Sequence, residues 1–234
     1  MVDQCLKLRF ASVFASLLFG FAAACHGAIP AHPHLQSRPL PEALSADALS
    51  ADALSADAHF AASWVLDAAD HQGRPFAIVD KRAARIYVFD ASGTLIGASP
   101  VLLGVAAGDA AVADIATRSP ASLARHERTT PAGRFASEPG RNDKGEAIVW
   151  VDYDAAFAIH RLRAGAPLER RAERLASLAI DDKKISAGCV IVPAAFYDRV
   201  IQRSLGTRRG VVYVLPETRP VRSMFANNVA LRSL

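Results

Sequence analysis

Cysteine is scarce in this chain, and its absence from most of the sequence already narrows the chemistry. Three cysteines occur in 234 residues; Cys5 and Cys25 lie in or beside the first 28, so Cys189 has no disulfide partner in the remainder. A small secreted fold stapled by disulfides is thereby excluded. No run of lysine and arginine with interleaved aromatics occurs, and the formal charge is only +4, so nucleic-acid binding finds no footing. The apolar run Phe10–Ala24 is shorter than the roughly 20 residues that a comfortable membrane span needs. What remains, 51% hydrophobic and 21% charged, is the balance of a globular chain able to bury a sizeable core.

Residues 1–28 read as a secretory signal. Lys7 and Arg9 precede the apolar run, which ends in the small-residue cleavage pattern Ala22-Ala23-Ala24. Cleavage after Ala24 would leave Cys25 first, so a lipid-modified cysteine is the alternative to soluble export. Against it, Ala22 stands where such signals carry a larger aliphatic residue. The expected location is exported, periplasmic or cell-wall associated, with membrane contact only if Cys25 is lipidated. Residues 29–42 form a proline-rich linker whose His32 and His34 are better read as solvated than as metal ligands. Ala-Leu-Ser-Ala-Asp then repeats three times over 43–57; five residues turn a helix by roughly 500°, so Leu44, Leu49 and Leu54 share no face. The linker is expected to end at residue 59, the folded domain to span 60–218, and 219–234 to be a tail.

Within that domain, strand composition marks 76–79, 86–89, 94–103, 148–153, 156–160, 185–192 and 210–215. Helices are expected over 60–69, from Pro167 with Leu168, Ala172, Leu175 and Ala179 on one face, and over 194–205. Residues 105–128 interrupt this pattern as an insertion lying over the domain, a lid or loop with a helical turn. The domain is strand-rich.

Cys189 follows Ala187-Gly188 at the head of a β-branched run closed by Pro193. Small neighbours leave the thiol sterically open and free backbone N–H groups beside it. A cysteine nucleophile needs a base, and His160 is the histidine that ends an apolar strand, Phe157-Ala158-Ile159; the others lie in linkers or polar loops. The expected position of Cys189 near a helix N-terminus would favour its thiolate.

At Thr130-Pro131-Ala132-Gly133 with Phe135, Ala158-Ile159-His160, and Ser186-Ala187-Gly188-Cys189-Val190, the chain resembles the L,D-transpeptidase catalytic domain (YkuD-like) family, over roughly residues 74–216. The resemblance implies a mostly β catalytic domain, a β-sandwich or barrel-like fold with a few helices. It implies Cys189 as nucleophile, His160 as base, and an oxyanion hole from the backbone N–H groups of Gly188 and Cys189. It further implies peptidoglycan stem peptides as substrates and no metal or organic cofactor. Three positions depart from the family pattern: Ala187 replaces a second histidine, Ile191 replaces an arginine or asparagine, and Arg161 replaces a glycine. Ser186 and Arg161 are the candidate substrate-binding residues, with Arg163 or Lys184 as other sources of the missing cation.

Two further readings use the same residues. An L,D-carboxypeptidase or crosslink hydrolase would pass the acyl group to water, and an inactive wall-binding module would keep the fold without turnover. A papain-like protease is disfavoured because its cysteine precedes its histidine in sequence, the reverse of the order here.

Overall fold

The computed structural model describes residues 54–165 and 167–230; the expected signal, the proline-rich stretch and the first two repeats lie outside them. Among these residues, ten strands form one sheet of eight and one of two. The first three, β1 (Phe76–Asp80), β2 (Arg85–Phe89) and β3 (Leu95–Pro100), make an antiparallel meander. After the two-residue β4 (Leu103–Gly104) and the insertion come β5 (Gly133–Arg141), β6 (Ala147–Asp152) and β7 (Phe157–Arg161). β8 (Lys184–Ser186), β9 (Val190–Val192) and β10 (Gly210–Leu215) complete the set. In the large sheet the order is β3-β2-β1-β10-β5-β6-β7-β9. β10 pairs parallel with β1, and β9 parallel with β7.

The two ends of this sheet meet. Beyond β3, Leu102 exchanges both backbone hydrogen bonds with Ile191 of β9, each 2.9 Å. The sheet is therefore nearly closed, and alternate residues sort to its inside and outside. Inside lie Val79, Val88, Val149, Ile159, Val190 and Val212, plugged by Tyr197, Ile201 and Leu205. The mostly β class expected from the sequence is the class observed.

Outside β1, β2 and β10, a second apolar layer holds two helices, α1 (Ala56–Asp67) and, at the other end of the chain, Arg222–Ala230. Both domain limits expected from the sequence shift as a result. α1 begins inside the third repeat, where Ser55 caps it by accepting from the Ala58 N–H and donates to Asp80 at 2.5 Å. Leu54 packs on the same layer, so this copy belongs to the domain. At the far end Val221 and Phe225 are buried against Trp64 and Tyr213, so residues expected as a tail are part of the core.

Two other expectations change. The helix expected from Pro167 is a single 3-10 turn and a short α2 (Arg171–Ala176), with Leu168 93% exposed instead of on a buried face. The intended apolar stripe fails because Leu175 alone of the four reaches the core. The run 185–192 is two strands in different sheets, broken at Ala187-Gly188-Cys189.

A buried ion cluster fastens the insertion to the body. The ammonium of Lys81, 2% exposed, binds Asp109 at 2.8 Å, the Thr130 carbonyl at 3.0 Å and the Gly108 carbonyl. Glu217 lies 3.6 Å from Lys81 and 2.6 Å from Lys184. Burial opposes ionisation of Asp109, yet Lys81 and the Thr218 hydroxyl hold its carboxyl well below the usual carboxylate range. A lowered carboxyl stabilises the fold above its unfolded value near 4 and loses that contribution as pH falls toward the folded value. Lys81→Met should cost about 3–5 kcal/mol at pH 7 by stranding the facing carboxylates. Its deficit should shrink below about pH 4, as urea titrations across pH would show.

Candidate active site

Cys189 lies in the three-residue break that separates β8 from β9, and four contacts shape that loop. Ser186 Oγ donates to the Cys189 carbonyl at 2.7 Å and accepts from the Gly188 N–H at 3.0 Å. Thr130 Oγ1 donates to the Gly188 carbonyl at 2.8 Å and accepts from the Gly104 N–H, also at 2.8 Å. Gly188 has φ +132°, and a Cβ there would sit 2.9 Å from the Thr129 carbonyl. Glycine is required at that position on both counts.

These bonds alter two expectations. Ser186, expected as a substrate contact, is 2% exposed and spends its hydroxyl inside the loop as a brace. The Gly188 N–H is likewise engaged by Ser186, which leaves the Cys189 N–H as the remaining donor of the expected oxyanion pair.

The pleat fixes where His160 and Cys189 face. Ile159 pairs with Val190 and both point into the closed sheet, so His160 and, one residue before the ladder begins, Cys189 take the outer side. Ile191, opposite His160, lies on that side in a small cluster with Leu102 and Leu175. The two groups are therefore diagonal neighbours on one face, with Cα atoms roughly 7–8 Å apart by strand geometry. In the resting arrangement no hydrogen bond joins them: Cys189 Sγ donates to the Ala156 carbonyl at 3.5 Å. Ala156 sits at φ +49° in the turn before β7.

His160 Nδ1 lies 2.8 Å from the Arg161 carbonyl. A carbonyl can only accept, so Nδ1 carries the hydrogen and Nε2 is left as the free base. Burial pushes the His160 imidazole below its ordinary value, and the charges of Arg163 and Arg171 push the same way. Burial pushes the Cys189 thiol up, opposed by the Ala158 N–H and the charge of Arg163. Both groups are thus neutral at pH 7. The helix expected to assist the thiolate starts at Ala194, beyond the whole of β9, and dipole effects fade within a turn.

Arg161, expected as a substrate contact, is engaged within the fold. Next to His160 on a strand, it points to the opposite face, where it binds Asp198 at 2.6–2.7 Å and the Ala147 carbonyl at 2.9 Å. Its guanidinium also lies 4.1 Å from the Tyr197 ring centroid. Lys184 is spent on Glu217. Arg163, bound to Glu146 at 2.6 Å, is the cation whose charge acts on both Cys189 and His160.

Above the thiol is a cavity with about 40 Å³ of free volume. Cys189, Gly188, Ala156 and Phe157 form its floor, and Val112, Ile115 and Leu123 of the insertion its roof. Among the described residues no group of histidine, cysteine and carboxylate side chains is arranged to hold a metal ion.

No family model matches the chain, and no curated protein matches it. Solved structures that it resembles include an L,D-transpeptidase from Xylanimonas cellulosilytica, 15% identical over 60% of each chain at a TM-score of 0.37. An L,D-transpeptidase from Mycobacterium smegmatis is 16% identical over 60% of this chain and 58% of that one, at a TM-score of 0.35. The helical cell shape determining protein Pgp2 from Campylobacter jejuni is 16% identical over 62% and 49%, at a TM-score of 0.39. The chain thus spans 49–60% of the length of these three. Similarity of this degree assigns no role to any residue.

Sequence reasoning passed over Thr130 as a site residue, although Thr-Pro-x-Gly was visible as a motif. Thr130→Val should strand a buried N–H at Gly104 and a carbonyl at Gly188, costing about 2–4 kcal/mol, while Thr130→Ser should retain most of the stability. Denaturant unfolding of the two variants measures the difference.

Proposed function

We propose that this protein is an exported cysteine acyltransferase of the L,D-transpeptidase type, acting on peptidoglycan stem peptides. The observation that carries the reading is the placement of a partly buried Cys189 thiol in a roofed cleft, one diagonal step from an imidazole whose Nε2 is free. Three motifs in family order support the same chemistry.

In the proposed reaction the Cys189 thiol leaves the Ala156 carbonyl and gives its proton to His160 Nε2 as Sγ bonds the substrate carbonyl carbon. The developing oxyanion takes the Cys189 N–H. Collapse breaks the amide C–N bond, and the imidazolium returns the proton to the departing amine. An acceptor amine then attacks the thioester, a C–N bond replaces the C–S bond, and the acceptor's proton passes through His160 back to sulfur. No step needs a metal or organic cofactor.

A second reading passes the thioester to water. The apolar roof of Val112, Ile115 and Leu123 favours it, because water reaches a thioester beneath such a roof more readily than an acceptor peptide does. Incubation with stem tetrapeptide separates the two by product: crosslinked dimer for transfer, free tripeptide for hydrolysis.

Exposure to a carbapenem should add one drug mass to the intact protein and none to Cys189→Ala. An unlabelled parent protein would overturn the acyl-enzyme. His160→Gln should slow acylation by about 10²–10⁴. With the imidazole lowered, the base form is present at lower pH than usual. The acylation rate should therefore rise through an apparent pKa below about 6.5 and stay flat beyond pH 8, since the thiol is held protonated.

A further inference from the structure

We infer that an arginine-lined groove beside the β2–β3 turn docks the chain on the phosphate layer of an anionic phospholipid membrane. This goes beyond the acyl-transfer reading and does not rest on it, since the groove shares no residue with the cavity over Cys189.

Elsewhere on this protein arginines face carboxylates: Arg118 holds Glu127, Arg134 holds Asp70 and Arg161 holds Asp198. Arg199, Arg203 and Arg208 do not, although all three are exposed and fall within one ten-residue stretch. Among the described residues no ion pair engages any of them.

Their placement follows from the packing. Helical turns run over residues 194–206, where the Gly206 N–H donates to the Ile201 carbonyl at 2.8 Å. Tyr197, Ile201 and Leu205, spaced by four, are fully buried as the plug of the closed sheet. Arg199 and Arg203, offset from them by two, are thereby turned to solvent as neighbours on one side. Like charges at that spacing disfavour a helix slightly, and an anion lying across them removes the repulsion. Arg208 follows the last turn, and with Arg203 it lines an open groove of about 270 Å³.

The rest of the groove identifies the occupant. A guanidinium's planar fork suits phosphate oxygens, which it can bind two at a time. Ile96 of β3 shares the groove and is 40% exposed, one of the few large apolar side chains of the described residues left in water. A soluble polyanion has no use for such a side chain. A bilayer takes guanidiniums at the level of its phosphates and an aliphatic side chain just beneath them. One carboxylate is present, and it is committed to its own turn. Asp90 Oδ1 accepts from the Ser92 hydroxyl and from the Ser92 and Thr94 N–H groups, and these bonds, the hydroxyl's foremost, hold the carboxyl below its usual range. Nearby, Arg209 and Glu138 pair at 3.0 Å and cancel. The face thus offers three free guanidiniums against one carboxylate. Among the described residues no helix is long and apolar enough to cross a membrane, so the contact is one of surfaces.

Co-sedimentation of the full chain with vesicles tests the inference, comparing phosphatidylcholine alone with phosphatidylcholine mixed with phosphatidylglycerol. A basic residue near an anionic surface is worth about fivefold in partitioning, so Arg199→Gln, Arg203→Gln and Arg208→Gln should each weaken binding to the anionic vesicles by about that factor. The triple variant should lose on the order of a hundredfold and sediment no better than with phosphatidylcholine alone. The N-terminal apolar run is common to parent and variants and cancels from each ratio. All three positions are exposed, so circular dichroism and thermal unfolding should match the parent.

Unchanged binding in the triple variant would overturn the docking face. Ile96→Ser should weaken vesicle binding several-fold while leaving the retention of the chain on immobilised polyphosphate unaltered. Vesicle binding indifferent to Ile96→Ser would overturn the membrane as occupant and leave a soluble polyanion in its place. Carbapenem labelling of Cys189, measured on the same triple variant, should equal that of the parent. Its absence from both proteins would count against the acyl-enzyme and leave the docking face standing.

Discussion

One hydroxyl holds the catalytic candidate in place. Thr130 Oγ1 joins Gly104, at the end of the closing strand segment, to Gly188, the residue before the thiol. Both neighbours leave no room for a side chain: a Cβ at Gly104 would meet the Arg128 carbonyl at 2.4 Å, and one at Gly188 the Thr129 carbonyl at 2.9 Å. The backbone of residues 128–130 is therefore wedged between two glycines, and the Thr130 hydroxyl is the polar bond that fixes the wedge. Because Thr130 also offers its carbonyl to Lys81, the same residue connects the cysteine loop to the ion cluster under the insertion.

Closure of the sheet makes that wedge necessary. Strands β3 and β9 would be exposed edges of an open sheet, with unpaired N–H and C=O groups along each. The Leu102–Ile191 bridge pairs one residue of β9 with the chain just past β3, and in doing so it brings that chain against the strand that follows Cys189. The insertion leaves from this junction and returns at Thr129, so it has little choice but to lie over the thiol. Ile191 shows what the arrangement uses in return: where the resembled family carries a polar residue, this chain buries an aliphatic one, 2% exposed, against Leu102 and Leu175. Arg163 is the cation whose charge reaches both Cys189 and His160.

Much of this was legible before the fold was known, because strands with β-branched alternation announce themselves and β1, β2, β6, β7 and β10 fall where that pattern puts them. Cys189 and His160 stood out for a similar reason: each ends or begins such a run. What the pattern could not show was which partners the fold gives each side chain. Arg161 and Ser186 looked available as substrate contacts, but Asp198 and Tyr197 claim the first, and the carbonyl of Cys189 and N–H of Gly188 claim the second. The helix at Arg222 went unread because its single buried aromatic, Phe225, is meaningful only against Trp64 and Tyr213. The third repeat reads like its two predecessors in sequence, and the pattern could not show that Tyr87 and Asp80 receive its Ser55.

The electrostatics at the thiol then decide how a reaction would have to start. Burial raises Cys189 and lowers His160, so a resting thiolate–imidazolium pair is disfavoured from both sides. A reactive ion pair standing ready would also be exposed to oxidation, since the thiolate is the form that oxidants attack. Here the thiol instead donates to Ala156, at a left-handed turn position that alanine occupies at a cost of about 1–2 kcal/mol. A substrate carbonyl entering the cavity would compete for the space in front of Sγ and turn the S–H toward Nε2. Proton transfer would then accompany C–S bond formation, so the nucleophile would be generated only when there is something for it to attack.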